Sequence, residues 1–321
     1  MNQSYKWLEN HQDDSRALCS ALSNYRIIQV SGPDTEKFLQ GQLSCDIRQL
    51  AKVGHLAGSH CNIKGHMISI FHLFYRGPEQ IWLRAHTEIA QTAFDTLKKY
   101  AVFSKVKLEM ADHLSGVALD RTTQQALCAG LQISAETQSG WNDEASIACY
   151  DEHLFELWSE DGCLQTALEA GNIYGTSEER WIAANIERAI PDLRGATVEH
   201  FIPQMCNMQA IEGVSFSKGC YTGQEIVTRL QHRGILKKAM YRFATDTNAA
   251  VAAGDTLLNS QGSTVGEVVL ATRTEGKTAL LAVVQQAQIE VRETLSLESG
   301  NHLEFEGLPY ELDPRLFESK R

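Results

Sequence analysis

The chain has 321 residues, 43% of them hydrophobic, which is enough for two or three packed domains. Its formal charge of −11 argues against a broad nucleic-acid-binding surface, because neutralising phosphates needs many Lys and Arg; a local basic patch stays open. Eight cysteines are scattered with no Cys-x-x-Cys pair, a pattern of reduced thiols and not of a disulfide framework or a self-contained zinc site.

In chain order, the polar start from Met1 to Asp14 does not read as a signal peptide. No later apolar run approaches the roughly 20 residues that cross a bilayer, so a cytoplasmic protein is expected. Tyr25 to Ser31 reads as a strand. A helix should start at Ser31-Gly32-Pro33-Asp34 and run past Phe38, Leu39 and Leu43. Met67–Tyr75 and Ile81–Ala85 form a hairpin pattern across Arg76-Gly77-Pro78-Glu79. A helix over 88–100 leads to a strand over 102–109. Residues 116–120 and 153–158 are further strands, with helices near 123–131 and 163–170. Ser134 to Ala145 is polar and turn-rich, as in a variable loop. Helix 177–187 has Thr176 and Glu179 at capping-box spacing. Beyond Gly234, residues 236–246, 264–271, 277–284, 289–298 and 302–306 read as short strands of a small closed sheet or barrel. The expected fold class is α+β with a C-terminal β-barrel.

One octapeptide stands out: Lys218-Gly219-Cys220-Tyr221-Thr222-Gly223-Gln224-Glu225. Thr222 and Glu225 have capping-box spacing, and Ile226, Val227 and Leu230 share a helical face that Gly234 can stop. Cys220 would then sit just outside a helix N-terminus, beside Lys218, and both effects raise the thiolate fraction. The other seven cysteines are read as small buried hydrophobes. From Lys218 to Lys238, Lys218, Arg229, Arg233, Lys237 and Lys238 face only Glu225, which suits either an anion site or a solvated helix face.

The octapeptide resembles the signature of the folate-binding, tRNA-modifying YgfZ proteins, relatives of the glycine-cleavage T-protein (an aminomethyltransferase). The resemblance extends to Val30–Asp34, to Phe38-Leu39-Gln40-Gly41-Gln42, to Lys98–Val106 and to Phe201-Ile202-Pro203-Gln204, and so covers essentially the whole chain. It implies a T-protein-like body of two interleaved α+β modules over 1–235, with the barrel at 236–321. It implies tetrahydrofolate, or a one-carbon derivative, as the cofactor. The family's two aromatic folate contacts map onto Tyr25, where the best-known members have tryptophan, and Trp181. Ordinary core packing is the alternative for both. The anionic folate tail would suit Lys218, Arg229 or Arg233.

T-proteins use an acidic residue after a Gly-Gly step near the N-terminal hairpin. The comparable stretch here, Lys64-Gly65-His66-Met67-Ile68-Ser69-Ile70, has no Asp or Glu, which argues against aminomethyl transfer. Cys220 could be a nucleophile for a one-carbon unit, a thiolate that transiently contacts an iron–sulfur cluster, or a packed turn residue. Two function classes remain. One is a folate-binding accessory factor for iron–sulfur maintenance and tRNA methylthiolation, acting through partner proteins with little bulk tRNA binding. The other is a folate-dependent one-carbon transferase or thiol redox enzyme.

Overall fold

The computed structural model describes residues 2–134, 139–246, 250–274 and 276–318. Helix α1 (Gln3–Asn10) leads to strands β1 (Cys19–Ala21) and β2 (Tyr25–Ser31), then to short helices α2 (Thr35–Gln40) and α3 (Leu50–Val53). Strands β3 (His55–Cys61), β4 (Met67–Gly77) and β5 (Gln80–His86) precede helix α4 (Thr87–Ala101) and strand β6 (Lys107–Met110). Next come β7 (Leu114–Leu119), α5 (Arg121–Gly130), β8 (Gly140–Trp141), β9 (Ala145–Cys149), β10 (Phe155–Glu160), α6 (Asp161–Gly171) and α7 (Glu178–Glu187). Helix α8 (Gln224–Arg233) opens the last part, followed by β11 (Lys238–Thr245), β12 (Thr256–Leu258), β13 (Thr264–Thr274) and β14 (Lys277–Gln285). Helix α9 (Gln286–Glu290), β15 (Leu295–Leu297) and β16 (His302–Gly307) complete it.

The chain folds as two compact units. The first holds Met1–Gln40, Asp46–Ala57 and Phe71–Trp181; the second holds Gly41–Cys45, Gly58–Ile70 and Ile182–Arg321. In the first unit an antiparallel sheet of order β1-β7-β10-β9-β8 carries α1, α5 and α6 on one face. Leu8, Val117, Leu119, Leu127, Phe155, Leu157, Leu164 and Leu168 form its core. On β7, Gly116 lets the Trp158 ring of β10 lie flat against the sheet, since a Cβ there would stand 2.4 Å from the indole. The other sheet has the order β3-β4-β5-β2-β6, and α4 packs on β2, β5 and β6. In the second unit β11-β14-β13-β12-β15-β16 close into a barrel around Tyr241, Phe243, Leu257, Val268, Leu280 and Leu295. The chain is therefore α+β with a closed C-terminal barrel, as the strand pattern implied.

Several local expectations change. Helix α2 starts only at Thr35, and Leu43, outside it, makes an isolated antiparallel bridge to His60. The strand expected over 102–109 is shorter: α4 runs to Ala101, a turn follows in which the Ser104 N–H donates to the Ala101 carbonyl at 2.9 Å, and pairing starts at Lys107. Residues 289–298 divide between the end of α9 and the three residues of β15. Part of the loop expected over 134–145 (residues 135–138) lies outside the described residues; the rest includes β8. No helix among the described residues is long and apolar enough to cross a membrane.

Candidate functional site

In the first unit Tyr25 opens β2 and Trp181 lies in α7, and both touch one buried polar chain. Its centre is Arg84 of β5, whose Nε donates to Glu156 Oε1 of β10 at 3.0 Å. The guanidinium also lies over the Tyr25 ring, 4.5 Å from its centroid. Glu156 is fully buried, and both of its oxygens are engaged: Trp158 Nε1 donates to Oε1 at 2.6 Å and the Tyr150 hydroxyl to Oε2 at 2.5 Å. Tyr150 meets Trp181 edge to face, with ring centroids 5.7 Å apart. Its oxygen also accepts from Arg84 Nη2 at 3.3 Å and lies 2.9 Å from His72 Nδ1, which is 3.1 Å from His55 Nε2.

The electrostatics follow from burial. Desolvation, reinforced by Glu156, holds the Tyr150 phenol well above its usual range, so it stays a neutral donor. Burial, with Arg84 and then His55 nearby, holds His72 well below the usual imidazole range, so it stays neutral. A buried carboxylate is tolerable here because a guanidinium and two further donors surround it. Beside this chain a cavity of about 360 Å³ opens against Tyr25 and Trp158, with Asn2, Ser23, Thr87 and Asp112 around it. Trp181 does not line this cavity and is almost fully buried.

The second unit holds the octapeptide. Lys218 is buried, and its ammonium donates to the carbonyls of Leu43 (2.8 Å) and Cys45 (2.6 Å) and lies 5.2 Å from the Tyr221 ring centroid. The Thr222 N–H donates to the Gly41 carbonyl at 3.1 Å. Gly223 has φ 84°, and a Cβ there would stand 2.6 Å from the Asn62 carbonyl oxygen. Gly65 (φ 77°) in turn admits the Ile226 side chain, whose Cβ is 3.0 Å from where its own Cβ would be. The Tyr221 hydroxyl is buried without a partner among the described residues, and desolvation, with Cys61 and Cys45 nearby, raises it well above the usual phenol range.

Cys220, the one exposed cysteine of the eight, stands free of this lacework. The expected capping box does not form. Gly223 is the N-cap of α8 with no side-chain cap, because its left-handed turn is what brings the chain against Asn62. Cys220 therefore lies four residues before the first helical residue, Gln224, and the dipole effect falls off within one turn. The Thr176 hydroxyl likewise serves β1, accepting from the Cys19 N–H at 3.2 Å. Gln204 is explained by a bond from its amide to the Val227 carbonyl of α8 at 2.6 Å. Arg229 and Arg233 are exposed on α8. Ser69 is fully buried, and its hydroxyl has no partner among the described residues. No cluster of three or more His, Cys, Asp or Glu that could hold a metal ion occurs among the described residues.

The structure thus joins Tyr25 and Trp181 through Arg84, Glu156 and Tyr150 in the first unit. Lys218, Cys220, Arg229 and Arg233 belong to the second. The sequence reading missed Arg84 and Glu156. Their signal was a single charge inside each of two apolar runs, Ile81-Trp82-Leu83-Arg84-Ala85 and Leu154-Phe155-Glu156-Leu157-Trp158. A charge so placed needs a partner.

No protein-family model matches the chain. Among solved structures it is similar to the glycine cleavage system aminomethyltransferase T from Bartonella henselae: TM-score 0.70, 17% identity, over 92% of this chain and 87% of that one. Its likeness to T-protein is one of fold. Among curated proteins it is similar to the tRNA-modifying protein YgfZ of Escherichia coli O139:H28 (strain E24377A / ETEC) and of Escherichia coli O9:H4 (strain HS). Each is 31% identical over 303 residues, covering 91% of this chain and 93% of the relative. That identity, sustained over nearly the full length of both proteins, shows that the chain belongs to the YgfZ family.

Proposed function

We propose that this protein binds tetrahydrofolate, or a one-carbon derivative, and serves as an accessory factor for iron–sulfur-dependent tRNA modification such as methylthiolation. The observation that carries the reading is the convergence of Tyr25 and Trp181 on one buried chain, Arg84–Glu156–Tyr150. The printed name of the curated relatives supports the tRNA part of it. The cavity fits a pterin: about 360 Å³ is within the range of small-molecule sites, Tyr25 and Trp158 supply aromatic surface, and Ser23, Thr87 and Asn2 supply directed polar groups. Tetrahydrofolate, when bound, supplies a carrier for one-carbon units.

In this reading Tyr25 is a wall of the folate site and Arg84 holds it in place. Trp181 braces the far end through Tyr150. Cys220 is the reactive thiol, offered to a partner's cluster or repair intermediate, in the cytoplasm. Lys218 is the positioning residue that ties its loop to Leu43 and Cys45. The absence of Asp and Glu from Lys64–Ile70 argues against aminomethyl transfer. A second reading, a folate-dependent one-carbon transferase or thiol redox enzyme, draws on the same exposure of Cys220.

The test is a fluorescence titration of the full-length protein with tetrahydrofolate and its one-carbon forms, followed by product analysis. The accessory reading expects quenching, weaker binding by Tyr25→Ala, and unchanged folate. Consumption of the folate establishes the transferase instead, and no binding refutes both. In a strain lacking the protein, Cys220→Ala should fail to restore methylthiolated tRNA nucleosides, measured by mass spectrometry. Full restoration removes the thiol from the function.

A further inference from the structure

The turn after α4 presents the most exposed of the large hydrophobic side chains among the described residues: Phe103 is 90% exposed and its neighbour Val102 73%. Tyr100, at the end of the helix, is exposed as well. Three exposed apolar side chains within four positions are a feature to explain, because clustered exposure of this kind marks a contact surface where single exposed residues do not.

The turn is held firmly. The Lys105 N–H donates to the Asp34 carboxylate at 2.8 Å, and Gly32 (φ 126°) lets the Lys105 carbonyl come within 2.4 Å of where a Cβ would be. A ring on so fixed a backbone loses little entropy when it is covered. Within the segment itself the charge is one-sided. Between Leu97 and Leu108 there are four lysines and no acidic residue, in a chain whose net charge is −11. Lys107 is paired with Glu109 at 2.6 Å, which leaves Lys98, Lys99 and Lys105 exposed in the same segment, with the Lys98 ammonium 5.6 Å from the Phe94 ring centroid.

We propose that this turn binds a single-stranded segment of RNA, with Phe103 stacking on one unpaired base and Lys98, Lys99 and Lys105 neutralising the flanking phosphates. The proposal rests on the tRNA reading above and gives that reading a contact surface on the protein itself. A flat ring among cations matches how single strands are bound: stacking accepts any base, and the phosphates supply the charge. A bilayer surface would call for a broader apolar face than Tyr100, Val102 and Phe103 supply. The acidity of the rest of the chain makes the contact local and salt-sensitive.

The experiment uses the full-length protein with a fluorescently labelled single-stranded RNA oligonucleotide, the same sequence as a duplex, and vesicles of phosphatidylserine and phosphatidylcholine. Phe103 and the lysines are exposed, so the variants should fold. The proposal expects preference for the single strand, about tenfold weaker binding by Phe103→Ala, and near-normal binding by Phe103→Trp. With three lysine contacts, log affinity should fall with log salt at a slope of about −2, and the slope should flatten in the triple lysine-to-alanine variant. Three results overturn it: no single-strand binding at about 50 mM salt, equal affinity of Phe103→Ala, or loss of vesicle binding by Phe103→Ala with RNA affinity unchanged. Folate titration and the Cys220→Ala comparison leave this turn intact, so the surface can fail while the proposed function stands.

Discussion

Replacing Arg84 with methionine should destabilise the first unit severely, and the structure gives the size. Arg84 is 2% exposed and Glu156 fully buried, so Arg84→Met leaves a carboxylate in a dry interior with its countercharge gone. Breaking a buried pair from one side costs about 3–5 kcal/mol. Trp158 and Tyr150 still donate to Glu156, which puts the expected cost near the lower end, about 3 kcal/mol. At 2–4 °C per kcal/mol that lowers the melting temperature by about 6–12 °C. The double variant Arg84→Met/Glu156→Gln removes the stranded charge and keeps an acceptor for Trp158. It should recover about 2 kcal/mol, a coupling typical of groups in direct contact. Urea unfolding followed by both tryptophan fluorescence and circular dichroism gives the three free energies and shows whether one transition is being measured. A cost below about 1 kcal/mol for Arg84→Met, or a double variant worse than the single, refutes the argument that Glu156 depends on Arg84. Because the guanidinium also lies over Tyr25, the same variant should weaken the folate binding proposed above.

The two glycines of the octapeptide should behave differently. Gly223→Ala adds a Cβ 2.6 Å from the Asn62 carbonyl at φ 84°, and should cost about 1–3 kcal/mol in a urea titration, whereas Gly219→Ala meets nothing within 4 Å and should be near neutral. Equal costs would mean that Gly223 is not needed for the close approach. Under native conditions a thiol reagent should modify Cys220 first. Cys61, for comparison, is buried and pushed up to about 12 by desolvation. Simultaneous modification of several thiols contradicts this burial pattern. Stability should also fall as pH drops below about 6.5. Burial holds His60 down to about 4 and, with Arg84 and His55, holds His72 well below its ordinary range. Both stay neutral in the folded protein while the unfolded chain takes up protons, a loss of about 1.4 kcal/mol per pH unit for each. A urea midpoint that holds steady from pH 7 to pH 5 rules out neutral buried imidazoles.

Much of the architecture was legible because alternation and turn chemistry agree with the tertiary outcome. The strand at Tyr25–Ser31, the hairpin across Arg76–Glu79 and most of the barrel are of this kind. Strands β1, β8 and β12, at two or three residues, are too short to show a period. The capping box failed for a tertiary reason: the approach of Gly223 to Asn62 decides where the helix begins, and local sequence does not contain it. The same applies to Lys218, whose carbonyl partners lie far upstream. Arg84 and Glu156 sit on strands of different sheets, so each looked like an isolated charge until the fold joined them.

The interleaving of the two units has a consequence for biosynthesis. Gly41–Cys45 and Gly58–Ile70 leave the ribosome early, yet they belong to the unit completed by the C-terminal part of the chain. The Leu43 and Cys45 carbonyls wait for a lysine made more than a hundred residues later. Contacts of such long sequence separation form slowly and leave apolar segments uncovered in the meantime. A nascent chain stalled after Trp181 has every residue of the first unit but carries two orphaned stretches of the second. Such a chain is a natural client for a chaperone, and nonsense mutations late in the gene should yield aggregates instead of a folded first unit.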